Sequence, residues 1–143
     1  MLLSTYEIHC RALLRIVTAL LFMQHGAQKL FHYPPGGHHQ GPLDLFSLIG
    51  VAGVLEFFGG LLLVVGLYTR SVAFVLSGQM AVAYFAFHVP GGKDAPGGFF
   101  PVVNGGELAI IFCFVFFYLV FSGPGAWSLD GLIKAKAPRA ATN

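Results

Sequence analysis

Seven polar or ionisable residues stand inside, or at the edge of, stretches that are otherwise apolar: Arg15, His25, Lys29, Glu56, His88, Asn104 and Glu107. Together they offer an ammonium, a guanidinium, two imidazoles, an amide and two carboxyls. Such a set can relay protons and can hydrogen-bond a small polar head group from several sides. An ionisable group deep in a bilayer costs at least about 2.5 kcal/mol unless it is paired or hydrated, so residues of this kind mark a structural or chemical task. One ammonium cannot neutralise two carboxylates. Lys29, His25, Glu56 and Glu107 are therefore expected to form a coupled cluster that holds a proton.

The stretches that must position these groups run at about 12–31, 48–67, 71–87 and 102–121. A hydrocarbon core about 30 Å thick needs roughly 20 apolar residues in a helix, and each stretch comes close to that. The chain has 143 residues, 56% of them hydrophobic and 10% charged, which leaves no room for a separate soluble domain. The expected fold is an all-α membrane protein: one domain over 1–143, an antiparallel bundle of four transmembrane helices, and a short cytoplasmic tail over 131–143. The first stretch has no small-residue cleavage site after it and reads as a retained helix, not a signal peptide. A net charge of +2 without a basic stripe gives no surface suited to nucleic acid. No Walker loop, GxGxxG, nucleophile elbow or CxxC pair occurs. Cys10 and Cys113 are expected to be reduced, structural thiols.

Lysine and arginine set the orientation. Arg11, Arg15, Arg70, Lys134, Lys136 and Arg139 fall on one side and only Lys29 and Lys93 on the other, which puts both termini in the cytoplasm. The two outward loops are rich in glycine and proline and resemble each other: Phe31-His32-Tyr33-Pro34-Pro35-Gly36-Gly37 and Phe87-His88-Val89-Pro90-Gly91-Gly92. Each precedes a helix carrying a glutamate. This suggests a duplicated two-helix unit; the alternative is coincidence, because such residues end helices generally.

Inward positions in packed helices recur at steps of four and three. That series gathers Arg11, Arg15, Thr18, Phe22, His25 and Lys29 in the first helix, and Gly53, Glu56 and Gly60 in the second. In the third it takes Ser77, Ala81, Tyr84 and His88, and in the fourth Asn104, Glu107, Ile111, Phe114 and Tyr118. At 1.5 Å per residue, Glu56 lies roughly 12 Å below the outer edge, His25 roughly 9 Å, Glu107 roughly 8 Å and Lys29 roughly 3 Å. These four can meet. Arg15 enters from the other side and is expected to snorkel or to hold a lipid phosphate. The tail from Lys134 is expected to fray.

Three uses of the cluster stand open. It can be a hydrogen-bonded knot that fixes helix register. It can be a site for a quinone or quinol, whose carbonyls want donors, whose reduction wants protons and whose body wants apolar walls. The third use is metal binding, for which His32, His38, His39 and His88 are weak candidates: imidazole suits zinc or copper, but the pair His38-His39 lacks a regular ligand spacing. No intrinsic metal or haem is expected.

Several pieces, in order, resemble the DoxX family of small bacterial membrane proteins. They are Arg15 with Gly26-Ala27-Gln28-Lys29-Leu30, then Glu56-Phe57-Phe58-Gly59-Gly60-Leu61 with Gly66-Leu67-Tyr68-Thr69-Arg70, then Asn104-Gly105-Gly106-Glu107, and finally Gly123-Pro124-Gly125-Ala126-Trp127-Ser128-Leu129-Asp130. The family's run is Asn-Gly-Glu; here the extra Gly106 is expected to shift Asn104 relative to Glu107. The resemblance implies a four-helix protein of the bacterial cytoplasmic (inner) membrane. It also implies a link to thiosulfate:quinone oxidoreductase, to resistance against quinones and catechols, or to oxidative-stress complexes of the membrane. Many members have no assigned activity.

The leading expectation is a quinone-linked oxidoreductase subunit without its own redox centre. Lys29 and His25 would bind the head group, with Asn104, His88 and Tyr84 around it, and Glu56 and Glu107 would relay protons. Its partners would be membrane lipids and either a redox protein or further copies of itself. The alternatives are a small-solute or proton-coupled transporter, and a non-catalytic scaffold or assembly subunit.

Overall fold

The computed structural model describes residues 2–36, 43–91 and 96–136, and those residues are all helical or in connections, with no strand. The helices are α1 (Leu2–Phe31), α2 (Leu48–Val65), α3 (Thr69–His88), a single turn α4 (Pro101–Asn104), α5 (Glu107–Ser122) and α6 (Leu129–Lys136). Two of them, α2 and α3, are long and apolar enough to cross a membrane, and α5 is apolar but shorter, at 16 residues. At 30 residues α1 is the longest, but Arg11, Arg15, His25 and Lys29 interrupt its apolar character.

Two helix pairs build the molecule: α1 lies along α2, and α3 lies along α5. Glycines make the first pairing close. A Cβ on Gly60 would collide with Met23, and one on Gly26 would collide with the main chain of α2. Small residues of this kind let two backbones approach and pack. Phe22 of α1 then joins the pairs, with its ring 5.1 Å from that of Phe112 and 4.9 Å from that of Phe116. Leucine, valine and phenylalanine cover the outside; Phe74, Phe85, Phe114 and Phe121 are all exposed. A contiguous apolar surface of this extent suits lipid, not water.

Four features extend or change the sequence expectations. First, α1 begins at Leu2, ahead of the apolar stretch at 12–31, so the polar segment before Arg11 is helical. Arg11 pairs with Glu7 at 2.7 Å, one turn away, and the Ile8 carbonyl accepts from the Ala126 amide at 3.0 Å. Second, the tail is still helical past Lys134: α6 continues to Lys136, and the rest of the tail, 137–143, lies outside the described residues. Its Asp130 carboxylate accepts from the amides of Tyr68 and Thr69, each at 2.8 Å, which docks α6 on the α2–α3 turn.

Third, Arg15 neither snorkels nor faces lipid. It is fully buried and donates to the carbonyls of Leu63, Val64, Pro124, Ala126 and Trp127. The end of α2 leaves carbonyls without helical partners, and a guanidinium with five N–H donors can satisfy several at once. Fourth, the face expected of α5 is rotated. Ile111, Phe114 and Tyr118 are exposed, while Ala109, Phe112, Phe116 and Leu119 are buried. Gly105, at φ +69°, breaks the helix between Asn104 and Glu107, so the phase counted from Asn104 does not carry into α5.

Candidate functional site

The α1–α2 crossing at Gly26 and Gly53 places Lys29 over Glu56. The Lys29 Nζ lies 2.5 Å from Glu56 Oε1 and also contacts Oε2. Glu56 is buried, whereas the Lys29 side chain is 28% exposed. Glu56 occupies a widened turn, Leu55–Gly59, in which the backbone bonds span five residues. Turns of that kind recur at functional sites. A second one closes α3 over Tyr84–His88, where the Val89 amide reaches the Tyr84 carbonyl at 3.0 Å.

A third side chain completes the pair. Gln79 of α3 donates to Glu56 Oε1 at 3.2 Å and to the Ala52 carbonyl at 3.4 Å. Its own amide oxygen is buried without a partner. Gln79 is not among the residues expected at the site, although an amide in the middle of an apolar span is a legible signal.

Two cavities flank the pair and share Lys29, Glu56, Ala83 and His88 in their walls. The larger, about 450 Å³, opens between α2 and α3 past Leu48, Val51, Val82 and Phe87, all exposed residues of the apolar surface. The smaller, about 340 Å³, lies among α1, α3 and α5 and adds His25, Phe22 and Phe112. Ligand sites commonly have this form: concave, mainly apolar, with a few convergent polar groups.

The expected residues divide accordingly. His25, Lys29, Glu56 and His88 come together at the cavities. The His25 ring stands edge-on to Phe112 at 6.0 Å. Asn104 is buried, but its amide is spent on the outer loop: Nδ2 donates to the Gly98 carbonyl at 2.7 Å, and Oδ1 accepts from the Gly106 amide at 2.8 Å. Its carbonyl also meets His88 Nδ1 at 3.2 Å. The Tyr84 hydroxyl donates to the Phe99 carbonyl, and its ring stacks on His88 at 6.3 Å. Tyr84 and Asn104 thus support His88 from behind. Glu107 is exposed in the first turn of α5 and lines neither cavity, so the structure does not bring it to Glu56.

Among the described residues no three His, Cys, Asp or Glu side chains gather as a metal site. His32 is exposed just past α1, and His38 and His39 lie outside the described residues.

Residues 10–89 match the family model described as DoxX. The chain is 46% identical over 131 residues to an uncharacterized protein of Haemophilus influenzae, across 90% of this chain and 93% of that one. It is 31% identical to an uncharacterized membrane protein of Mycobacterium tuberculosis, across 87% of this chain and 81% of that one. It is 29% identical to the inner membrane protein YqjF of Escherichia coli, across 85% and 90%. No solved structure matches it.

Proposed function

The chain belongs to the DoxX family, and from that premise we propose that it is a multi-pass protein of the bacterial inner membrane that binds a quinone or quinol beside Glu56 and serves as a redox-associated subunit. In this reading α1, α2, α3 and α5 are four spans of one antiparallel bundle, both termini are cytoplasmic, and the Lys29–Glu56 pair lies in the outer half. One observation carries the proposal: a buried carboxylate, paired to an ammonium and an amide, forms the wall shared by two apolar cavities.

A quinone head group, when bound, takes up two electrons and two protons. Volumes of about 450 and 340 Å³ fall within the usual range for a small ligand. Lys29 supplies hydrogen-bond donors to a carbonyl oxygen. Glu56 holds or releases a proton at its carboxylate, oriented by Gln79. His25 and His88 extend the proton path on either side. The exposed apolar mouth at Leu48, Val51 and Phe87 faces the lipid from which such a ligand would arrive. Electrons come from a partner protein.

The test is to purify the full chain in lipid nanodiscs and measure bound quinone by extraction and chromatography. Near-stoichiometric quinone, lost in Glu56→Gln and in Lys29→Met, is the expected result. A preparation free of quinone that also fails to take up added quinone overturns it. Proton-gradient-driven flux of a solute in proteoliposomes, abolished by the same substitutions, would favour a transporter in its place.

A further inference from the structure

A second built site lies at the other end of the molecule. Arg11 and Lys29 are eighteen residues apart on α1, about 27 Å along the axis. Around Arg11 a cavity of about 450 Å³ opens, with Arg70, Lys134, Ser71 and Asp130 in its wall. Arg11, Arg70 and Lys134 stand there against two carboxylates: Asp130, held by the amides of Tyr68 and Thr69, and Glu7, which pairs with Arg11 at 2.7 Å from the wall of the adjoining groove, so positive charge is still in excess. Arg11 also borders a groove of about 770 Å³ along α5, formed by Phe114, Phe117, Tyr118 and Phe121. These four aromatic residues are exposed.

Arg11 therefore stands where a cationic pocket passes into an aromatic groove. Two polar atoms at that junction, Arg11 Nε and Ser122 Oγ, are buried and lack a protein partner. Arg70 gives one nitrogen to the carbonyls of Val120 and Phe121, at 2.6 and 2.7 Å, which anchors it at the junction. A glycerophospholipid with an anionic head has the same order of polarity: charge, then ester oxygens, then acyl chain.

We propose that this junction binds an anionic glycerophospholipid. Arg11, Arg70 and Lys134 hold the phosphate, and one acyl chain lies along Phe114, Phe117 and Phe121. Basic pockets between spans at the cytoplasmic side commonly hold such head groups. The site is separate from the Glu56 cavities and stands whether or not they hold a quinone.

The test uses the full chain in a neutral detergent, with dioleoylphosphatidylglycerol as the probe and dioleoylphosphatidylcholine and inorganic phosphate as controls. Lipid retention is read by native mass spectrometry and stabilisation by the thermal midpoint. Phosphatidylglycerol should be retained and should raise the midpoint; neither control should. Lys134 is exposed on α6, so Lys134→Gln should fold normally and bind about fivefold more weakly. Phe117→Ala should weaken retention without changing the lipid preference. Equal retention of the two lipids, a midpoint raised as much by phosphate alone, or wild-type binding by Lys134→Gln would each overturn the proposal.

Discussion

Gly26 of α1 and Gly53 of α2 meet main chain to main chain: a Cβ on Gly26 would lie 2.8 Å from the Gly53 carbonyl oxygen and 2.5 Å from the Phe57 amide nitrogen. The obstructing atoms are backbone, so no rotamer change can relieve the clash. Gly26→Ala should therefore separate the helices and cost about 1–3 kcal/mol. The thermal midpoint in detergent should fall. An unchanged midpoint would show that the crossing is not close-packed.

Three residues beyond Gly26, the same crossing sets Lys29 on Glu56. Removing one partner of a buried pair strands the other, typically at about 3–5 kcal/mol. Lys29 keeps some solvent access, so Lys29→Met should cost at or below the low end of that range. The double substitution Lys29→Met with Glu56→Gln should recover part of the loss, because no charge is left unpaired. A double-mutant cycle on unfolding checks this, and strict additivity would mean the pair is not coupled.

Arg15→Lys is conservative in charge but not in geometry. The guanidinium donates to five carbonyls, drawn from the end of α2 and from the segment before α6. An ammonium has three donors. At least two carbonyls would lose their partner, at about 1–3 kcal/mol for each group left buried and unsatisfied. Limited proteolysis should then cut near Trp127 faster than in the native chain. Cleavage at the native rate would argue that water replaces the missing donors.

Asp130 predicts an acid limit on the docking of α6. Burial tends to push its carboxyl upward, but the amides of Thr69 and Tyr68, with the charge of Arg15 nearby, prevail and hold it below the usual carboxylate range. Its stabilisation is therefore complete above the ordinary value of about 3.9 and is lost as pH falls through the lowered folded value. A cap of this type contributes about 0.5–2 kcal/mol, here toward the low end because Asp130 is only half-buried. Asp130→Ala should lower the thermal midpoint at pH 7, and that difference should shrink progressively as pH is taken below the ordinary carboxylate value. A difference that stays constant through the acid range would assign the effect to packing, not charge.

Much of this was legible along the chain because its signals are local. Glu56 flanked by glycines marks a buried acid at a close crossing, and Gly66 with φ +68° ends α2 where a short link was expected. Depth grouped Lys29 with His25, Glu56 and Glu107, but it did not choose between the two acids. Gln79 was equally visible as the one amide within α3, but nothing local says that it faces an acid on another helix.

Composition and spacing alone make the chain helical, apolar and studded with charges that need partners, because they set which segments can bury themselves. Which charges meet depends on how the helices pack. Residues of α5 are apolar on every side, so periodicity carries no direction there, and the left-handed Gly105 resets its phase; Glu107 falls outside the cavities for that reason. Arg15 could not be placed from its neighbours, because three of its five acceptors lie more than a hundred residues further on. A buried cation takes whichever carbonyls the folded chain leaves unpaired, and those are created by the turns, not by the segment that carries the charge.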